Sequence, residues 1–242
     1  MQKDFEGQVA LVTGASRGIG YQIAKQLGAR GAHVIALART VGGLEDLDDE
    51  IKSAGGQTTL VPLDLMDFDA LDRLGAAIFE RWKKLDILVG NAGMLGVLSP
   101  VGHISPKDFE KVMAVNVTAN WRLIRSLDPL LRQSDAGRAV FLTSTQADTC
   151  TAFWGLQSTS KAAVEAMART WANESLKTSL KINLVDPGPT RTGLRAKAMP
   201  GEIPENLPAP SVVAEDILEL VKPDVLETGK LYDRLSGEWI SP

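Results

Sequence analysis

The chain has 242 residues, 44% hydrophobic and 23% charged, with a formal net charge of −4. That apolar share supports a sizeable core, and the acidic balance argues against sequence-independent nucleic-acid binding, which depends on basic surface. The single cysteine, Cys150, rules out an intrachain disulfide and fits a reducing compartment.

MQKDFEGQ at the start lacks an apolar signal core, and no apolar run reaches the length of a membrane span, so a cytoplasmic protein with no membrane partner is expected. QVALVT at 8–13 reads as a buried strand, and 18–30 as a helix with Ile19, Ile23 and Leu27 on one stripe. HVIALA at 33–38 is a second strand, 41–54 a helix, and TTLVPL at 58–63 a third strand. Leu71, Leu74, Ile78, Trp82 and Leu85 keep helical spacing, and DILVG at 86–90 follows as strand four.

Ser105 is placed to cap the next helix, with Pro106 first and Asp108 as the third-position acid. Ile104 and Phe109 are spaced as a hydrophobic staple, and this helix is expected to run to about residue 132. RAVFLT at 138–143 is strand five. Residues 155–177 form a helix with Val164, Met167, Ala168 and Trp171 as its apolar face, and KINLVD at 181–186 is strand six. Between 187 and 210 prolines and glycines cluster, which predicts a long loop or lid. SVVAEDILELV at 211–221 is a helix, and GKLYD at 229–233 a last strand.

Strands alternating with helices, each strand continuously apolar, predict an α/β fold: a parallel sheet covered by helices on both faces. Ligands then bind beyond the carboxyl ends of the strands. TGASRGIG at 13–20 lies at one such end. Glycines let backbone approach a pyrophosphate, and the helix start offers free N–H groups and a positive dipole end. The spacing Gly14, Gly18, Gly20 departs from G-x-G-x-x-G. The alternative is a glycine-rich tight turn without a ligand. Arg39 closes the second strand where an acid would hold a ribose hydroxyl, and Arg17 lies inside the glycine turn. Guanidinium groups there suit a 2′-phosphate, which favours NADP(H) over NAD(H) unless both are merely surface arginines.

TGASRGIG, GNAG at 90–93, Asn116, Ser144, Lys161 and PGPTRT at 187–192 together resemble the short-chain dehydrogenase/reductase superfamily over nearly the whole chain. The resemblance implies one doubly wound Rossmann domain over 1–242, a seven-stranded parallel sheet and a substrate loop near 188–210. It also implies hydride transfer between a nicotinamide cofactor and a small carbonyl or alcohol substrate. By the same resemblance Gly14, Ser16, Arg17, Gly18, Ile19 and Gly20 hold the pyrophosphate and nearby groups, and Asp64 touches adenine. Asn91, Ala92 and Gly93 line the ribose side, and Pro187, Gly188 and Thr192 lie beside the carboxamide. Members often pair as homodimers or homotetramers.

The family's catalytic set is Asn, Ser, Tyr and Lys. Asn116, Ser144 and Lys161 match, with Lys161 also reaching the cofactor ribose. The Tyr position, thirteen residues after Ser144, is Gln157. Glutamine can hydrogen-bond a carbonyl oxygen but has no proton to give near neutrality. Tyr21 and Tyr232, the only tyrosines, lie on the wrong elements. Lys161 through a water, relayed by Ser144, is the expected substitute donor. The competing reading is a catalytically impaired NADP(H)-binding pseudoenzyme serving as sensor or structural subunit. His103 and Cys150 read as loop residues, whereas Trp154, Met94 and Leu95 are placed to line a substrate pocket.

Overall fold

The structure is a computed structural model describing residues 3–241. The elements run β1 Val9–Thr13, α1 Gly18–Ala29, β2 His33–Ala38, α2 Val41–Ser53, β3 Gln57–Pro62, α3 Phe68–Trp82 and β4 Ile87–Gly90. Then follow α4 Pro106–Met113, a π-helical turn Ala114–Thr118, α5 Ala119–Leu131, β5 Arg138–Leu142, α6 Gln146–Thr149 and α7 Gly155–Glu174. β6 Lys181–Asp186, α8 Gly193–Ala198, α9 Pro210–Glu219, β7 Leu231–Asp233 and β8 Glu238–Ile240 complete the order.

One sheet carries the strands in the order β3-β2-β1-β4-β5-β6-β7-β8. β1 to β7 pair parallel, in register such as Val9 with His33 and Ile87 with Arg138. Alternation along β1 shows how both faces are covered. Ala10 and Val12 pack with Ile23 and Leu27 of α1, Leu47 of α2 and Ile217 of α9. Leu11 faces the other way, into a core with Leu74 of α3, Leu127 of α5 and Trp171 of α7. The doubly wound fold is therefore as read.

Several details differ. The sheet has one strand more than the seven expected: β8 turns back from β7 and pairs antiparallel, Tyr232 against Trp239. GEWI is too short and too near the chain's end to stand out by alternation. Leu85 lies beyond α3, which stops at Lys83 in a left-handed turn (φ 67°); Leu85 is buried through packing, not helix phase. The helix expected from 106 to about 132 starts as read, with Ser105 Oγ accepting from Asp108 N at 3.1 Å. It is interrupted by the π-helical turn, whose wider hydrogen bonding leaves no trace in apolar spacing. The proline-rich segment 187–210 is partly helical: it holds α8 and is bound by a bidentate pair from Arg195 to Glu202 at 2.6 and 2.7 Å.

At the amino ends of β4 and β5 two buried charges lie side by side. Asp86 accepts from Val9 N (2.9 Å), Lys84 Nζ (2.9 Å) and Ser134 Oγ (2.5 Å). Arg138 donates to the carbonyls of Lys222 (3.1 Å), Gly137 (2.8 Å), Ser179 (3.1 Å) and Pro223.

Candidate functional site

Strand order reverses between β1 and β4, so the loops leaving their carboxyl ends diverge and open a crevice. TGASRGIG fills the β1 side. Gly14 and Gly18 adopt positive φ (67° and 62°), which a side chain would strain. A Cβ on Gly14 would lie 2.8 Å from Asn91 Nδ2, and one on Gly20 would strike the same atom. Thr13, the first residue of TGASRGIG and given no role of its own by the sequence, ties the two sides together. Its Oγ1 accepts from Asn91 N and Ala92 N, both at 3.0 Å, while Asn91 Nδ2 donates to Thr13 O at 2.8 Å. Asn91 is thus an anchor for the crevice floor.

α1 begins at Arg17 in extended backbone, with no side chain capping its first turn. Its first N–H groups point at the glycine turn, and the dipole adds positive potential. The Arg17 side chain is exposed beside Ser16, and Ile19 packs on the core. Arg39 lies 3.6 Å from Asp64 with its side chain 64% exposed. So loose a pair can open to a phosphate. Gly188 (φ 66°) donates to Asp186 Oδ1 at 2.9 Å, next to Pro187. Thr192 caps α8 through Arg195 N at 3.2 Å, and its Cγ2 lies 3.6 Å from where a Gly18 Cβ would stand. An uncapped helix start, a side-chain-free glycine turn and two exposed guanidinium groups fit a phosphorylated dinucleotide.

The second cluster gathers around Gly93. A Cβ there would be 3.3 Å from Asn116 Oδ1 and 3.8 Å from Lys161 Nζ. Asn116, 1% exposed on the π-helical turn, accepts from Met94 N (2.9 Å) and donates to Met94 O (3.1 Å) and Ser160 Oγ (3.0 Å). Gln157, 6% exposed, donates from Nε2 to Met94 O at 2.6 Å. One turn on, Lys161 Nζ donates to Leu142 O at 2.6 Å. The residue is half-buried, yet its ammonium lies inside the protein. Burial pulls its pKa down to about 8, against the opposing pull of Asp186 and Glu165. Ser144 stands just past β5, its Oγ 3.4 Å from Gln146 N. Tyr21 lies beside Glu50, and Tyr232 stacks edge-on with Trp239; neither joins this cluster. Cys150 is exposed just past α6, and His103, read as a loop residue, is exposed at the end of a 3-10 turn, Val101–His103.

Two further residues belong here. Glu165, 3% exposed and one turn beyond Lys161, accepts from Thr143 Oγ1 at 2.6 Å and pairs with Arg169 at 3.2 Å. Burial raises its pKa, against those two partners. Asp186 accepts from Thr145 Oγ1 at 2.5 Å. The i, i+4 spacing from Lys161 would have flagged Glu165, and the strand-end position would have flagged Asp186. Trp154, expected to line the pocket, forms an isolated parallel bridge with Ser99.

The family model described as short chain dehydrogenase matches residues 8–202. The chain is 36% identical over 234 residues to the uncharacterized oxidoreductase YciK of Escherichia coli K12, covering 95% of this chain and 92% of that one. A short chain dehydrogenase structure from Pseudomonas syringae superposes with a TM-score of 0.93 at 37% identity, covering 96% of each chain. One from Shigella flexneri 2a, complexed with NADP, gives 0.92 at 34%, covering 96% of this chain and 99% of that one. No helix among the described residues is long and apolar enough to cross a membrane.

Proposed function

The chain belongs to the short-chain dehydrogenase family, and we propose that it is an NADP(H)-dependent oxidoreductase acting on a small carbonyl or alcohol, with an altered proton-transfer step. The observation that carries this reading is the Lys161 ammonium, buried beside Gly93 and Asn116 with its pKa pulled into the working range of a proton donor.

Gly14, Ser16, Arg17, Gly18, Ile19 and Gly20 hold the pyrophosphate, with Arg17 and Arg39 on the 2′-phosphate. Asp64, released from Arg39, reaches adenine. Asn91, Ala92 and Gly93 flank the ribose together with Lys161, and Pro187, Gly188 and Thr192 flank the carboxamide. The Shigella flexneri relative, complexed with NADP, supports this choice of cofactor. When bound, the dihydronicotinamide supplies a hydride. Ser144 Oγ orients the substrate oxygen, and Lys161 passes its proton toward it through a water. Asn116 holds Met94 and the cleft wall in place. The loop 188–210 closes the substrate side. A cytoplasmic homodimer or homotetramer is part of this reading.

A second reading, a non-catalytic NADP(H)-binding sensor or structural subunit, is favoured by one observation: the residue in the phenol's place is an amide tied to Met94 O. Thermal shift with NADPH, followed by turnover on a carbonyl panel, separates the two. Turnover supports the enzyme, binding alone supports the sensor, and no shift with NADPH or NADH sinks both.

A further inference from the structure

We propose that this cleft also reduces protonated carbon–nitrogen double bonds, iminium ions, to amines, with Gln157 accepting the N–H. The proposal rests on the hydride-transfer reading above. It starts from the two ends of one amide. Gln157 Nε2 donates to Met94 O at 2.6 Å, and the same carbonyl receives Asn116 Nδ2 at 3.1 Å. A carbonyl only accepts, so the amide cannot be turned over: nitrogen must face Met94, and oxygen must face away. Among the described residues no protein hydrogen bond reaches Gln157 Oε1, and the atom is not among the fully buried unpartnered ones, so it is open to solvent or a ligand. That oxygen is the polar atom this side chain has left for a ligand, on the helix face it shares with Lys161.

An amide oxygen asks its ligand for a donor. A ketone or aldehyde has none at its reacting end and needs a proton as well. An iminium brings N–H and needs no acid. The hydride of the dihydronicotinamide forms the new C–H bond, the C=N π pair moves to nitrogen, and nitrogen keeps its proton. The substrate's positive charge is discharged as the nicotinamide becomes cationic. The step that Gln157 cannot perform on a carbonyl is absent from this reaction.

The surrounding charges set a condition. The Lys161 ammonium opposes a cationic ligand. Facing it are Asp186 from β6 and Glu165 on its own helix, the latter held by Thr143 and Arg169 and felt by Asp148 of α6. Lys161 loses its proton near pH 8, so its opposition to a cation weakens as pH rises toward that value.

The test compares three bicyclic substrates of similar shape with NADPH: 3,4-dihydroisoquinoline, its N-methyl iminium salt and 1-tetralone. The protonatable imine should exceed the ketone at least 100-fold in kcat/KM, the lower end of what general acid catalysis contributes, about 10²–10⁴. It should also exceed the N-methyl salt, which has no N–H. Without turnover as readout, tetrahydroisoquinoline should bind the NADP⁺-loaded protein at least tenfold tighter than 1-tetralone by calorimetry. Gln157→Leu should erase that difference; if this variant does not fold, the wild-type ratio decides. Ketone reduction equal to or faster than imine reduction overturns the proposal and leaves the oxidoreductase reading intact. NADPH binding with neither imine turnover nor amine preference overturns it also. Failure of NADPH to bind at all overturns the cofactor reading, and the proposal with it.

Discussion

Both ends of the sheet bury charge, and they treat it in opposite ways. At the amino ends, Asp86 and Arg138 are saturated: the carboxylate takes three donors, and the guanidinium reaches four carbonyls. At the carboxyl ends, Lys161 has one carbonyl partner and a pKa drawn down to about 8, and Gln157 has one half of its amide unengaged. Saturated buried charge fixes a fold, because removing one member orphans the rest. Incompletely satisfied groups hold capacity for a ligand. The incompletely satisfied end is the one proposed above to bind the cofactor and substrate.

The contrast can be broken by exchanging outcomes between the ends. Lys161→Met should lower kcat/KM for NADPH-dependent reduction by about 10²–10⁴, roughly 3–5 kcal/mol of barrier, while urea unfolding shows no loss of stability. A stability loss as large as the activity loss would make Lys161 structural. Arg138→Met should do the reverse. It orphans buried carbonyls at a cost of about 3 kcal/mol in urea unfolding and leaves the NADPH Kd unchanged. Gln157→Tyr should raise carbonyl turnover at least tenfold; an unchanged rate would mean that proton transfer does not limit. Arg39→Asp should shift the ratio of NADPH to NADH affinity roughly 10- to 150-fold toward NADH, since a charge-assisted phosphate contact contributes about 1.5–3 kcal/mol. Persistence of the NADPH preference would remove Arg39 from the 2′-phosphate site.

The smallest effect is in pH. The Lys161 proton is present below about pH 8 and lost above it, so if Lys161 is the donor, reduction should fall as pH rises through that value. Stability moves the other way. The folded pKa lies below that of a free lysine, so the folded state binds fewer protons than the unfolded state between about 8 and the ordinary lysine range. Stability therefore rises across that window. A pH–rate profile alongside urea midpoints at pH 7 and 9 reads both signs.

The sheet and its helices were legible because their signals are local: β2 and β6 are runs whose limits the structure reproduces, and Ser105 with Pro106 announces α4. β8 and the π-helical turn were not, since one depends on pairing with β7 and the other on a hydrogen-bond pattern that composition does not encode. In the candidate site, glycines and strand ends could be read by position. Which end of the Gln157 amide is occupied could not, because Met94 O lies 63 residues away in sequence and only the folded loop brings it there. Glu165 could be reached by its spacing from Lys161, but its partner Thr143, just past β5 and 22 residues earlier, could not.

The turn Ala114–Thr118 has a consequence for how the chain tolerates change in length. A regular helix advances about 100° per residue, so a wider turn offsets the phase of α5 from that of α4 by about one such step. Deleting one residue there would restore an ordinary helix and preserve nearly every backbone bond. It would also swing Leu123 and Leu127 off the sheet, or Asn116 off Met94, because both cannot keep their bearings at once. The segment therefore accepts no deletion: it carries its information in the count of residues as well as in their identity.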